Sequence, residues 1–311
     1  MTCAIIFPGQ GSQSVGMGKE LADAFPAARA VFDEIDEALG QKLSQIMFDG
    51  PDADLVLTEN TQPALLAASM AVLRVLEAEQ GFELATQATY VAGHSLGEYS
   101  ALCAAGTFSL ADAARLVKTR GKAMQIAVPV GAGAMAALLG LEASDAEAIA
   151  AEAAGAEVCD FANDNASGQV VISGSTAAVE RAVEIARGRG AKRAVLLPVS
   201  APFHCGLMKP AAEVMEQALA EVEMKDPVVP LVANVTASAI RTADEARRLL
   251  IEQVCGRVRW RESVLYMKAN GVDRLLELGH GKVLSGMTRR IDRDMTAGNI
   301  GTPDEIAGFA I

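Results

Sequence analysis

The amino-acid sequence predicts an α/β fold in which a large domain with a mainly parallel sheet carries a small inserted domain. Two observations predict it. Short apolar segments alternate with helical segments over most of the chain, and residues 130–199 follow a different order of elements. With 311 residues, the chain is long enough to bury a sizeable core in one large domain or in two linked ones.

In the large domain, three segments have the pattern of a strand, a loop of small residues and a helix. They are Cys3–Phe7 before PGQGSQSVGMG, residues 89–92 before the turn at Ser95, and Arg274–Leu278 before GHGKVLSGM. Longer helical patterns lie at about 22–39, 62–80 and 110–127. This alternation indicates a mainly parallel sheet with covering helices. Ligands bind at the carboxyl ends of the strands in such sheets, so the three loops are expected to meet at one edge.

The predicted small domain has the element order β-α-β-β-α-β, which is the ferredoxin-like arrangement. Its predicted strands lie at 133–140, 158–162, 170–173 and 193–199, and its helices at about 144–154 and 176–187. Ser144 and Glu147 have the spacing of a capping box, and NDNASGQ has the composition of a loop. We therefore predict a discontinuous large domain, residues 1–129 and 200–311, and a small domain, residues 130–199. The last dozen residues are expected to be frayed.

Composition narrows the class of protein. The sequence has no run of about 18 apolar residues, no basic start of a signal peptide and no C-x-x-C pair among its five cysteines. These features predict a cytoplasmic protein with reduced thiols.

The net charge of −12 argues against binding to nucleic acid. Residues 181–293 are nevertheless locally basic, with 19 of the 27 Lys and Arg and 13 of the 39 Asp and Glu. This bias is either ordinary surface variation or a docking face for an anionic partner.

The glycine-rich segments and the histidines do not fit a nucleotide or metal site. Ser14 occupies the place of the third glycine in G-x-G-x-x-G, and Met17 and Gly18 stand where a P-loop has Lys and Ser or Thr. The three histidines lie far apart and have no H-x-x-x-H spacing. We expect neither a metal ion nor a cofactor.

The segment GHSLG, residues 93–97, matches the G-x-S-x-G nucleophile elbow. Ser95 would lie between a strand and the start of the helix predicted at 96–105, where free N–H groups and the helix dipole favour an anion. The N–H of Leu96 is one candidate donor to a developing oxyanion, and that of Gln10, in PGQGSQ, is the other. The alternative is that Ser95 is only a small residue at a tight turn.

Three histidines are candidates for the base that a serine nucleophile needs. His94 adjoins Ser95, but adjacent residues at a turn point in different directions, so we expect His94 to pack. His204 follows the strand that returns from the small domain, in a loop that Pro202 stiffens. His280 also follows a strand and fits the chain order Ser…Asp…His. The pattern favours His204 slightly and leaves His280 open.

Arg120 lies on the apolar stripe of the helix predicted at 110–127, three residues after Val117 and four before Met124. Arginine is seldom fully buried without a partner. One alternative is that its side chain snorkels, so that the guanidinium reaches the protein surface. The other is that the planar guanidinium binds a carboxylate of the protein or of a substrate through two hydrogen bonds.

Taken together, these segments resemble the malonyl-CoA:acyl carrier protein transacylases of type II fatty-acid synthesis. The matching segments, in chain order, are FPGQGSQSVGMG, GHSLGEYSAL, TRGKAMQ, QVVISG, GAKRAVLLPVSAPFHCGLMKPA and ELGHGKVLSGM. The resemblance implies a serine-hydrolase-like large domain with a ferredoxin-like insert. It also implies a monomer that moves malonyl from malonyl-CoA to the phosphopantetheine thiol of acyl carrier protein through a malonyl-serine ester, by a ping-pong reaction. Acyl carrier protein and CoA are then the expected partners, with no membrane.

The resemblance implies catalytic roles for five residues. Ser95 would be the nucleophile and His204 the general base and acid. The N–H groups of Gln10 and Leu96 would form the oxyanion hole. The main-chain carbonyl of Gln253 would orient the histidine in place of the acid of a triad.

The resemblance also implies roles in substrate binding. Arg120 would bind the malonyl carboxylate. Asn163, Lys192 and Arg193 map near the pantetheine chain and the CoA phosphates. His280 departs from the family, which usually has proline at that position.

Two other functions compete with this interpretation. A serine acyl hydrolase or esterase would use the same elbow, but it would have no reason to place Arg120 on an apolar stripe. A non-catalytic carrier-binding module would keep the fold without needing Ser95, His204 and Arg120 together.

Overall fold

Two sheets organise the chain in the computed structural model, which describes residues 2–309. Sheet A has the strand order β10-β9-β1-β2-β7-β8 and sheet B the order β4-β5-β3-β6. The strands of sheet A are β1 (Cys3–Phe7), β2 (Tyr90–Gly93), β7 (Leu231–Ala233), β8 (Ser238–Ile240), β9 (Arg274–Leu278) and β10 (Thr296–Ile300). Those of sheet B are β3 (Gly133–Leu139), β4 (Cys159–Ala166), β5 (Gln169–Ser175) and β6 (Arg193–Leu196).

Sheet A is parallel except at one edge. Its neighbouring strands from β10 to β7 all run in the same direction, and only β8 is antiparallel to its partner β7. β1 lies between β9 and β2, so the loops that follow these three strands meet at one edge of the sheet, as the sequence predicts. β1 is apolar because both of its faces are buried: Ile5 and Phe7 pack into one core, and Ala4 and Ile6 into the other.

Among residues 2–309, no helix is both long enough and apolar enough to cross a membrane.

Helices cover both faces of sheet A and one face of sheet B. The helices before residue 130 are α1 (Lys19–Ala24), α2 (Pro26–Leu39), α3 (Leu43–Asp49), α4 (Asp52–Leu55), α5 (Thr58–Gln80), α6 (Leu84–Gln87), α7 (Gly97–Ala104) and α8 (Leu110–Ile126). Those that follow are α9 (Ala143–Ala154), α10 (Thr176–Gly188), the 3₁₀ turn Gly206–Met208, α11 (Lys209–Ala220), α12 (Ala243–Cys255), α13 (Trp260–Ala269), α14 (Val283–Ile291) and α15 (Pro303–Ala307).

Sheet B and its two helices have the predicted β-α-β-β-α-β order. All pairs in the sheet are antiparallel, and α9 and α10 share an apolar core with one face of it. Met135, Ala162 and Val171 belong instead to the core on the α5 side of sheet A. The predicted fold class, a mainly parallel α/β domain with a ferredoxin-like insert, is confirmed. The domain boundaries stay a prediction, and the strands of sheet B lie between residues 133 and 196.

A short segment between α12 and α13 joins sheet B to the rest of the molecule. The N–H of Val258 donates to the carbonyl of Ala162 at 2.8 Å, and the N–H of Asp164 donates to the carbonyl of Val258 at 2.9 Å. Arg261 then binds the buried carboxylate of Asp164 through Nη2 at 2.8 Å and Nε at 3.0 Å. Backbone hydrogen bonds and a two-point ion pair therefore hold β4 beside this segment and the start of α13.

Three local predictions were wrong. The capping box lies earlier than Ser144, because Glu142 is the N-cap of α9 and its N–H donates to Asp145 at 3.1 Å. NDNASGQ is not all loop, since β4 extends to Ala166 through pairing with β5. The last dozen residues are not frayed as far as they are described: they include α15, which Thr302 caps.

Candidate active site

A strained turn between β2 and α7 presents Ser95. Its φ of +53° lies in the left-handed region, which residues with a side chain seldom adopt. Asn234, which follows β7, holds the turn from both sides. Its Oδ1 accepts a hydrogen bond from the N–H of Ser95 at 2.8 Å, and its Nδ2 donates to the carbonyl of Gly93 at 2.7 Å.

Two glycines make this turn sterically feasible. A Cβ on Gly93 would lie 1.9 Å from the backbone carbonyl carbon of Gly97, and a Cβ on Gly97 would lie 2.3 Å from the carbonyl oxygen of Phe7. The motif therefore requires glycine at both positions because backbone approaches backbone there.

His204 faces Ser95. The Nε2 atom of His204 lies 2.7 Å from Ser95 Oγ. On the other side of the ring, Nδ1 lies 3.0 Å from the carbonyl oxygen of Gln253 and 3.1 Å from that of Gly256. Carbonyl oxygens only accept hydrogen bonds, so Nδ1 carries the proton and Nε2 is free to accept the proton of Ser95.

The environment keeps His204 neutral. Burial, the positive charge of Arg120 and the neighbouring His94 lower the pKa of His204 to about 3. An imidazole with this pKa is unprotonated at neutral pH, which is the state that a general base needs.

The other two histidines have different partners. His94 Nε2 lies 2.8 Å from Asn165 Oδ1, and the His94 ring lies 6.0 Å from that of Trp260. His280 Nε2 lies 2.8 Å from Ser14 Oγ. The geometry thus brings His204, and neither alternative, to the nucleophile.

Arg120 is buried at the same point. Its side chain is only 1% exposed, so the snorkelling alternative is wrong. Nη2 donates to Ser95 Oγ at 3.0 Å and to Gln253 Oε1 at 2.9 Å, while Nη1 donates to Gln62 Oε1 at 2.9 Å. All three acceptors are neutral. A guanidinium stays charged in proteins, and no carboxylate among residues 2–309 bonds directly to this buried cation.

A cavity of about 180 Å³ opens onto these groups. Ser95, His204 and Arg120 line it. The lining comes from the loops of sheet A, from α5 and α8, and from sheet B. Its other members are Gln10, Gln62, His94, Leu96, Met124, Met135, Asn163, Asn165, Val171, Leu197, Val199 and Phe203.

The five remaining sequence-predicted residues can be placed relative to this cavity. Gln10 and Leu96 line it, and no backbone carbonyl of residues 2–309 accepts a hydrogen bond from the N–H of either residue. Asn163 lies in β4 and also lines it. Lys192 and Arg193 do not; they are exposed at the start of β6, and their part in binding CoA stays a prediction.

Sequence reasoning missed five groups: the side chains of Gln62, Asn234, Glu98 and Gln253, and the carbonyl of Gly256. Only Glu98 leaves a sequence signal, because it is the one charged residue of the segment GEYSALCA. The others act through contacts between distant parts of the chain.

Comparisons with known proteins agree with this geometry. Residues 4–291 match the acyl transferase domain family. The chain belongs to this family. It is 47% identical over 304 residues to the malonyl CoA-acyl carrier protein transacylase of Escherichia coli K12, covering 98% of this chain and 97% of that protein.

Solved structures of family members have the same fold as this acyltransferase chain. One is the acyl-carrier-protein-S-malonyltransferase of Bartonella henselae, with a TM-score of 0.97, 56% identity, and coverage of 99% of this chain and 98% of that one. Another is a malonyl-transacylase in complex with its type II polyketide synthase acyl-carrier protein. It has a TM-score of 0.95, 42% identity, and coverage of 99% and 98% respectively.

The close approach at Gly97 generates a prediction. We expect Gly97→Ala to lower the free energy of unfolding by about 2–4 kcal/mol, because the new Cβ would meet the carbonyl of Phe7. Gly286→Ala is the matched control, since a Cβ there meets nothing within 4 Å. In a helix interior it should stabilise by about 0.5–1 kcal/mol. Urea unfolding measures both changes. Equal stability of the Gly97→Ala variant and the parent would contradict the close approach of Gly97 to the backbone of Phe7.

Proposed function

We propose that this protein is a malonyl-CoA:acyl carrier protein S-malonyltransferase. The observation that carries the proposal is the buried guanidinium of Arg120, hydrogen-bonded to the hydroxyl of Ser95 and otherwise only to neutral oxygens. Such a site favours an acyl group that brings its own carboxylate. Malonyl is an acyl group of this kind, and the relatives named above carry malonyl transfer in their names.

The first half-reaction loads the serine. The malonyl carboxylate pairs with Arg120, which aims the thioester carbonyl at Ser95. Ser95 Oγ attacks the carbonyl carbon as His204 Nε2 takes its proton. The N–H groups of Gln10 and Leu96 stabilise the resulting oxyanion. When this tetrahedral intermediate collapses, the carbon–sulfur bond breaks, and the CoA sulfur leaves with the proton from His204.

The second half-reaction reverses these steps with a different thiol. The phosphopantetheine thiol of acyl carrier protein gives its proton to His204 and attacks the malonyl ester. The ester bond breaks, Ser95 recovers its proton, and malonyl leaves as a thioester of the carrier. Acyl transfer between two thiols involves no change of redox state, so we expect the enzyme to need no metal or redox cofactor.

The proposed function also concerns the compartment, the oligomeric state and the partner of the enzyme. We place it in the cytoplasm, as a monomer, with acyl carrier protein as its macromolecular partner. Lys192 and Arg193 are exposed and are candidates for contacts with the phosphates of CoA or with an acidic carrier. Arg189 is a weaker candidate, because its guanidinium already pairs with Glu152.

Loss of the nucleophile tests the proposal directly. Wild-type protein mixed with malonyl-CoA alone should gain about one malonyl group per chain, whereas Ser95→Ala should gain none, since only the attacking oxygen is removed. Intact-protein mass spectrometry measures both. Steady release of free CoA without an adduct would identify a hydrolase instead. An adduct on the Ser95→Ala protein would place the nucleophile elsewhere.

Arg120→Ala should reverse the substrate preference. We expect kcat/KM for malonyl-CoA to fall about 10²–10⁴-fold, because a site that pairs a charged group discriminates strongly against its loss. Acetyl-CoA has no carboxylate, so its transfer should persist or improve. Parallel kinetics with the two thioesters measure the change. If both substrates lose activity in equal proportion, Arg120 has only a structural role.

The lowered pKa of His204 predicts an unusual pH profile. Because its pKa is about 3 instead of 6.5, kcat/KM for malonyl-CoA should stay level through pH 6.5 and fall only as the pH approaches 3. Between these two pKa values the unfolded chain binds more protons than the folded one, so this histidine lowers stability as the pH falls.

Two variants control this measurement. His204→Ala should lose about 10²–10⁴-fold in rate, and His280→Ala should keep the wild-type rate and profile. A tenfold loss per pH unit that begins near pH 6.5, or a larger loss in the His280 variant, would contradict the assignment of the base.

A further inference from the structure

Glu98 is a buried carboxylate that none of the steps above uses. It lies in the first turn of α7 and is fully buried. Its Oε2 accepts two hydrogen bonds at 3.0 Å, one from the N–H of Asn234 and one from Nε2 of Gln253. Its other oxygen, Oε1, is buried, and no group among residues 2–309 forms a hydrogen bond with it. Burying a carboxylate in this way is unfavourable, which calls for a compensating role.

The amide of Gln253 links Glu98 to the site. Its Nε2 donates to Glu98 and also to the carbonyl of Ser95 at 2.9 Å, while its Oε1 accepts from Arg120 Nη2 at 2.9 Å. A glutamine amide has a donor end and an acceptor end of almost the same shape, and a half-turn exchanges them. An ionised carboxylate only accepts, so Glu98 favours the orientation with the NH₂ group toward itself and Oε1 toward Arg120.

We propose that Glu98 is a positioning residue for substrate selection: by fixing the amide of Gln253, it holds the guanidinium of Arg120 where a malonyl carboxylate can bind it. This inference rests on the proposed function. With the amide reversed, the NH₂ group of Gln253 would face Nη2 of Arg120, and two donors would oppose each other. The guanidinium would then lose an acceptor and move away from its position beside Ser95.

The role depends on an acceptor oxygen more than on a charge. Burial raises the pKa of Glu98 to about 7, against the opposing effects of Gln253, Asn234 and Arg120. A protonated Glu98 still has an oxygen that accepts from Gln253 and Asn234. Glutamine at this position would also supply one, since the N–H of Asn234 favours an oxygen at that point, so Glu98→Gln is the conservative variant that separates the hydrogen bond from the charge.

The test compares malonyl-CoA with acetyl-CoA as donors for loading Ser95. In Glu98→Leu, kcat/KM for malonyl-CoA should fall about 10- to 100-fold, the size of a lost hydrogen bond to a charged group. The loss with acetyl-CoA should be clearly smaller, because acetyl has no carboxylate for Arg120 to bind. Glu98→Gln should recover most of the malonyl preference. Gln253→Leu, which keeps the main-chain carbonyl, should lose the same preference, and combining it with Glu98→Leu should add little further loss.

Glu277 supplies a matched control. It is also a fully buried glutamate on sheet A, and it accepts hydrogen bonds from the N–H groups of Leu284 and Ser285 at the start of α14. Glu277→Leu should lower the thermal midpoint while leaving the ratio of malonyl to acetyl loading unchanged. If it shifts that ratio as much as Glu98→Leu does, the effect of Glu98 is general destabilisation.

The outcomes separate this inference from the function on which it rests. If the wild-type protein forms no malonyl adduct, the proposed function fails. If it loads malonyl normally but Glu98→Leu leaves the malonyl preference unchanged, or lowers both donors equally, the inference about Glu98 alone is overturned. Should Glu98→Leu not fold, Glu98→Asp makes the same test, because it shortens the carboxylate by one methylene and should weaken the preference in the same direction.

Discussion

The buried positive charge of Arg120 is the constraint on which the rest of the site depends. A guanidinium that is 1% exposed must replace its lost hydration with hydrogen bonds, and here the acceptors are two glutamine amides and the hydroxyl of the nucleophile. The ring of Tyr99 adds a cation–π interaction, with its centroid 5.6 Å from the guanidinium carbon. None of these bonded partners is an anion; the carboxylate of Glu98 attracts the guanidinium without bonding to it. The cavity is therefore most complementary to an anion that reaches Arg120 beside Ser95.

The same charge affects the catalytic pair. Together with burial, it keeps His204 unprotonated, and two main-chain carbonyls set the tautomer that accepts the serine proton. Ser95 and His204 both have positive φ values, +53° and +58°, so the two reacting side chains are presented by strained backbone. Asn234 and the glycines of the elbow hold the serine in this conformation, and the backbone pairing of Val258 with β4 holds the segment behind the histidine.

The parts of the site that could be predicted from sequence are those that local patterns specify. The elbow at Ser95 is a five-residue motif, and the place of Arg120 on an apolar stripe follows from helical spacing, so both could be identified without a structure. The choice between His204 and His280 was harder, because it depends on where the chain re-enters the large domain after the insert. Resemblance to a family favoured His204, and the 2.7 Å contact with Ser95 agrees. The side-chain network of Glu98, Asn234 and Gln253 could not be predicted, because its hydrogen bonds join residues more than a hundred positions apart.

The most direct measurement of the central claim is a competition for Ser95. Wild-type protein is mixed briefly with equal concentrations of malonyl-CoA and acetyl-CoA, and the adduct is identified by intact mass and peptide mapping. If the unpaired charge of Arg120 selects the acyl group, the malonyl adduct on Ser95 should greatly exceed the acetyl adduct. Equal amounts of the two adducts, or an excess of acetyl, would show that the neutral partners of Arg120 satisfy it and that the charge does not choose the substrate.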